Sequence, residues 1–130
     1  MIGLDTNVIV RYIMQDEPRQ AAKATTLIEG LSDQMPGFVP LVSVVELVWV
    51  LSSCQPDRAQ ITQALDVLLR ARQLRVDQAE HVARALRAYG AGTADFADCL
   101  IERTASAAGC SRTMTFDAAA AQFAGMTLIR

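Results

Sequence analysis

A chain of 130 residues, 52% apolar and 20% charged, is long enough to bury a substantial core, and a single domain over 1–130 is expected. Its net charge of −2 argues against a uniformly basic nucleic-acid binder, and no uninterrupted apolar run approaches the roughly 18 residues of a membrane span. The opening Met1-Ile2-Gly3-Leu4-Asp5 has no basic stretch leading into an apolar run, so no secretory signal, no membrane attachment and a cytoplasmic location are expected.

Taken in chain order, Ile2-Gly3-Leu4 reads as a buried strand. Asp5-Thr6-Asn7 supplies helix-capping chemistry ahead of Val8 to Met14. Pro18 opens a second helix, with Ala21, Ala24, Leu27, Ile28 and Leu31 at helical spacing, and Met35-Pro36-Gly37 breaks it. Phe38-Val39 begins a second strand, and Pro40 starts the helix that carries Glu46. Pro56-Asp57 ends that helix and caps the next, whose apolar positions include Ile61, Leu65 and Leu68. Leu74-Arg75-Val76 is a third strand, Gln78 to Tyr89 a helix, and Gly90-Ala91-Gly92 a turn. A helix from Asp95 to Ala108 stops at Gly109. Arg112 to Thr115 is a fourth strand, Asp117 to Phe123 a short helix, and Met126 to Ile129 the last strand. This alternation predicts an α/β fold, a three-layer α/β/α sandwich around a five-stranded parallel sheet.

Four carboxylates stand out. Asp5 follows the first strand, Asp117 follows the fourth, Asp98 lies in the first turn of the helix before the fourth strand, and Glu46 interrupts the most apolar run of the chain. In open α/β sheets, ligands bind beyond the carboxyl ends of the strands. Each acid also has an ordinary role open to it. Asp5 and Asp117 suit turns or caps, and Asp95-Phe96-Ala97-Asp98 has capping-box spacing, as has Ser43-Val44-Val45-Glu46. A helix start at Pro40 instead places Glu46 in the second turn, and that start is preferred. Together, four clustered acids would repel by about 3 kcal/mol per pair at about 5 Å and an effective dielectric near 20. A divalent cation resolves such a cluster, and oxygen ligands favour Mg²⁺ or Mn²⁺. A cation offsetting four acids would leave the rest of the chain net positive. Thr6, Asn7, Asp95, Thr113 and Thr115 are placed to hydrogen-bond these carboxylates or a metal-bound water. Glu102, four residues after Asp98, is expected to pair with a nearby arginine rather than to touch metal.

Other readings are weaker. Gly90-Ala91-Gly92 follows a helix and has Asp95 where a dinucleotide fingerprint needs its third glycine. His81 is the sole histidine, lies off the apolar face of its helix and is expected to be solvated; His-based metal sites and triads are disfavoured. A phospho-accepting signalling domain would place a lysine near the last strand, whereas the only lysine is Lys23. Cys54, Cys99 and Cys110, odd in number and without ligand spacing, read as reduced, mostly buried thiols. Eleven arginines suit phosphate contacts, but genome base composition is the preferred reading of an Arg- and Ala-rich chain, so the arginine count alone carries no argument. Arg11 is a candidate RNA contact and equally a solvated helix residue.

The order of these short motifs resembles the PIN-domain ribonucleases, and among them the VapC-type toxins of bacterial toxin–antitoxin pairs. The similarity runs nearly end to end: Ile2-Gly3-Leu4-Asp5-Thr6-Asn7, Val39-Pro40 through Glu46 to Leu51, Asp95-Phe96-Ala97-Asp98-Cys99-Leu100-Ile101, and Thr115-Phe116-Asp117. The resemblance implies Asp5, Glu46, Asp98 and Asp117 as catalytic metal ligands, with Asp98 rather than Asp95 as the ligand of its motif. It implies a strand order 3-2-1-4-5 and Mg²⁺- or Mn²⁺-dependent hydrolysis of RNA by an activated water. It also implies a homodimer restrained by a small cognate antitoxin. Cys99 departs from the small residue common at its position, and no consequence is expected. The alternative is a PIN-like module that binds RNA or protein without cleaving.

Overall fold

The computed structural model describes residues 1–54 and 56–130. The chain divides into two compact units, Met1–Ala79 and Glu80–Arg130.

The first unit is built on three parallel strands: β1 (Ile2–Gly3), β2 (Gly37–Val39) and β3 (Leu74–Val76). β2 is central, with Ile2 opposite Gly37 on one side and Gly37 opposite Leu74 on the other. The connections are helical: α1 (Thr6–Met14), α2 (Pro18–Glu29), α3 (Leu41–Ser52) and α4 (Arg58–Arg70). Local chemistry sets their starts. Glu17 accepts from Arg19 N and Gln20 N at 3.4 and 2.7 Å, with Pro18 at the first helical position. Asp57 and Gln60 close a reciprocal capping box, both bonds 2.9 Å. Leu4, Ile9, Ile28, Val39, Leu47, Leu51, Leu65 and Leu74 form the core between sheet and helices.

The second unit holds α5 (Ala79–Ala91, whose first residue belongs to the other unit), α6 (Phe96–Ala107), β4 (Met114–Thr115), α7 (Ala118–Phe123) and β5 (Thr127–Leu128). β4 and β5 are parallel, with Met114 opposite Thr127. Val82, Leu86, Tyr89, Phe96 and Leu100 are buried here, and the Tyr89 and Phe96 rings meet edge to face at 5.8 Å. Gly109, at φ +99°, takes the left-handed conformation that stops α6.

Several expectations change. The five strands form a three-stranded ladder, β1-β2-β3, and a separate two-stranded one, β4-β5, rather than one five-stranded sheet. β1, β4 and β5 keep only two residues each, so each offers few ladder donors and acceptors. The expected turn at Gly90 is helical, because α5 continues to Ala91 before the chain bends. Cys99 is buried, but Cys54 and Cys110 are exposed, since one follows the end of α3 and the other the glycine stop of α6. His81 is half-buried rather than solvated. Among the described residues no helix is long and apolar enough to cross a membrane.

Gly37 is required by close packing. A Cβ there would meet Leu31 Cδ1 at 2.8 Å, Leu4 Cδ1 at 2.9 Å and Leu74 Cδ2 at 3.1 Å. All three leucines are themselves buried, so there is little room to yield. Gly37→Ala is expected to destabilise the chain by about 1–3 kcal/mol, read from the urea midpoint at unchanged slope.

Candidate metal centre

In a parallel ladder the strands all deliver the chain to the same edge. At that edge of the first unit Asp5 follows β1, α3 begins just after β2, and Asp77 follows β3. Asp5 is the N-cap of α1, its Oδ1 accepting from Thr6 N at 2.9 Å. Thr6 is buried, and its hydroxyl donates to Glu46 Oε1 at 2.8 Å. One residue therefore positions two carboxylates, through its backbone and its side chain. That leaves Asp5 Oδ2 and Glu46 Oε2 without a bond from Thr6.

α3 starts at Leu41, so Glu46 lies in the second turn and Ser43 is a buried helix residue, not a cap. Pro40 is the N-cap rather than the first helical residue and has no side-chain donor or acceptor to offer. Asp77 does the capping from β3: its Oδ2 accepts from Leu41 N at 3.3 Å. Sequence reasoning passed over Asp77. The available signal was an acid directly after the third predicted strand, the same arrangement as Asp5 after the first. The apolar surroundings expected of Glu46 are also only half present. Val42, Glu46 and Trp49 form an exposed stripe, Val42 and Trp49 being 70% and 76% open, while Val44, Leu47, Val48 and Leu51 face inward. Glu46 thus sits on the outer face of its helix, and water relieves the desolvation a buried acid would suffer.

In the second unit Asp95 is the N-cap of α6, its Oδ2 accepting from Asp98 N at 3.2 Å. Asp117 caps α7, with Oδ1 accepting from Ala119 N at 2.8 Å and Ala120 N at 3.4 Å. Asp117 N donates to Thr115 Oγ1 at 3.0 Å, which fixes the turn leaving β4. Thr113 contributes its backbone carbonyl to the ladder, accepting from Thr127 N at 2.8 Å. Asp98 differs from its neighbours: it is half-buried and its carboxylate caps no helix among the described residues. Burial, then the charges of Asp95 and Asp117, raise its carboxyl above the ordinary aspartate value.

None of Asp5, Glu46, Asp98 and Asp117 is paired with a lysine or arginine among the described residues. Glu102 contacts Arg103 Nε at 3.4 Å, without hydrogen-bond geometry, and its buried Oε2 has no hydrogen-bond partner among the described residues. Among the described residues no group of three or more His, Cys, Asp and Glu stands ready to hold a metal. Asn7 and Arg11 lie elsewhere in the first unit, in a groove of about 470 Å³ between α1 and α2, together with Gln20 and Lys23. Arg11 is held there by Gln20 Oε1 at 2.9 Å and Asp16 Oδ1 at 3.1 Å, so it is an anchored side chain rather than a freely solvated one.

The PIN domain family model matches residues 2–126, which spans both units. The chain belongs to the PIN domain family. No curated protein matches it. PIN domains are generally metal-dependent nucleases that bind RNA, and the family implies an α/β fold, with which the helices and short parallel strands agree. The donor chemistry fits the divalent ion such nucleases use. Carboxylate oxygens are hard ligands, and Asp98 carries negative charge that no protein cation offsets among the described residues.

The raised Asp98 has a consequence for stability without metal. Its ionised form is disfavoured in the folded chain, so above the ordinary value of 3.8 its charge weakens the fold. Below that value both folded and unfolded states are protonated and the penalty vanishes. Asp98→Asn is therefore expected to raise metal-free stability at pH 7, by under about 1 kcal/mol because water screens the pair interactions. The gain should shrink as pH falls and approach zero near pH 3, below the ordinary value. Urea melts of both proteins in chelator at the two pH values check this.

Proposed function

We propose that this PIN-domain chain is a divalent-metal-dependent endoribonuclease, the toxin of a toxin–antitoxin pair. Asp5, Glu46, Asp98 and Asp117 hold Mg²⁺ or Mn²⁺. The observation that supports this reading is Asp98, whose carboxylate caps no helix among the described residues and is pushed towards its neutral form first by burial and then by the charges of Asp95 and Asp117. A divalent ion, when bound, supplies an acidic water and positive charge for the phosphate under attack. The chain's own part is positional. Thr6 orients Asp5 and Glu46, and Asp95 and Thr115 fix the turns from which Asp98 and Asp117 project. Asn7 borders the groove where Arg11, held by Gln20 and Asp16, is available to an RNA phosphate.

The toxin assignment rests on the resemblance of the four motifs to VapC-type toxins. With it come a cytoplasmic location, a homodimer and a small cognate antitoxin. A second reading is a PIN-like module that binds RNA or protein without cleaving. It is favoured by the lack, among the described residues, of a ready group of three metal-binding side chains.

Incubation of the purified chain with labelled RNA separates the two. Cleavage is expected with Mn²⁺ or Mg²⁺, none in chelator, and a fall of more than about 100-fold for Asp98→Asn, since even outer changes at metal sites cost 10–100-fold. Cleavage surviving both chelation and the substitution would contradict the mechanism. RNA binding without cleavage would establish the module reading.

A further inference from the structure

The second unit gathers positive charge that the carboxylate chemistry does not use. A cleft of about 480 Å³ is lined by Arg84, Arg87, Ala88 and Arg103. α5 buries Val82, Ala85, Leu86 and Tyr89, which leaves Arg84 and Arg87, one turn apart, on its outer side. Neither forms an ion pair among the described residues, although Glu80 precedes Arg84 by one turn. Arg103 comes from α6, and its ion pair is with its own neighbour Glu102, at 3.4 Å. Arg103 is five residues beyond Asp98, about 140° around the helix, so it leaves α6 on a different side from that carboxylate.

Three guanidiniums on one concavity repel one another, and like charges one turn apart weaken a helix. Among the described residues the fold gains no ion pair from Arg84 or Arg87 in return. What the lining does suit is an anion. Guanidinium forks bind phosphate oxygens in pairs, and Ala88 is small enough to let a ligand approach. In a chain of net charge −2, affinity for a polyanion has to come from local clusters of this kind.

We propose that the cleft of Arg84, Arg87 and Arg103 is a second RNA-binding site, which grips backbone phosphates of a single-stranded substrate away from the bond being cut. This rests on the ribonuclease reading above. The cleft holds the strand and takes no part in the chemistry, so its loss raises KM for long RNA and leaves kcat in place.

The test is binding of a fluorescently labelled single-stranded RNA to the full chain in chelator, over a series of salt concentrations. The variant Arg84→Ala/Arg87→Ala/Arg103→Ala is expected to bind about tenfold or more weakly at low salt. The slope of log affinity against log salt should become shallower by about 2, at roughly 0.7 for each phosphate of a single strand that the protein ceases to neutralise. The matching triple Lys variant should recover the slope, because it keeps the charges, while a fold defect would not be rescued in this way. Wild-type affinity and slope in the Ala variant, with cleavage intact, overturn the cleft assignment and leave the ribonuclease standing. A wild-type chain that neither binds nor cleaves RNA overturns both.

Discussion

Like-charged carboxylates are tolerated in a fold only where hydrogen bonds, water or a cation take up their charge, and that constraint organises both units of this chain. In the first, Thr6 is the device: buried itself, it donates its amide to Asp5 and its hydroxyl to Glu46. In the second, Asp95 and Asp117 spend carboxylate oxygens on helix caps, while Asp98 is raised above the ordinary aspartate value by burial and then by the charges of those two neighbours. Helix capping and metal binding are not competing explanations here. A cap uses one oxygen of a carboxylate and fixes its direction. The other oxygen stays available, which is how a residue such as Asp117 can serve a helix and a ligand together.

The two units solve different parts of the functional problem. The first supplies acids at the edge of a short parallel ladder and a groove between α1 and α2 lined by Arg11, Gln20 and Lys23. The second supplies the perturbed aspartate and an arginine-lined cleft. The family match runs across both units, so both belong to the PIN domain.

Local signals were legible in the sequence where they act over a few residues. Pro18 and Asp57 fixed helix starts, Gly109 fixed a stop, and the acids after strands one and four were found from their position alone. What was missed depends on groups far apart in the chain. The cap of α3 comes from Asp77, 36 residues away, and follows from strand register rather than from any local pattern. The apolar run around Glu46 gave no period to read, so its exposed stripe of Val42, Glu46 and Trp49 emerged only once one side of α3 was packed. Gly90 was read as a turn because glycine disfavours helices, yet the buried face of α5 carries the helix past it. The division of five expected strands into two ladders was beyond periodicity, which locates strands but not their pairing.

Everything proposed for this chain turns on whether these carboxylates bind a divalent cation. The most direct measurement is Mn²⁺ binding, followed by loss of the free-ion electron paramagnetic resonance signal, for the wild-type chain beside Glu46→Gln and Asp98→Asn. Saturable binding by the wild-type chain is expected, with affinity at least about tenfold weaker in each variant. Wild-type binding no tighter than that of either variant would contradict it.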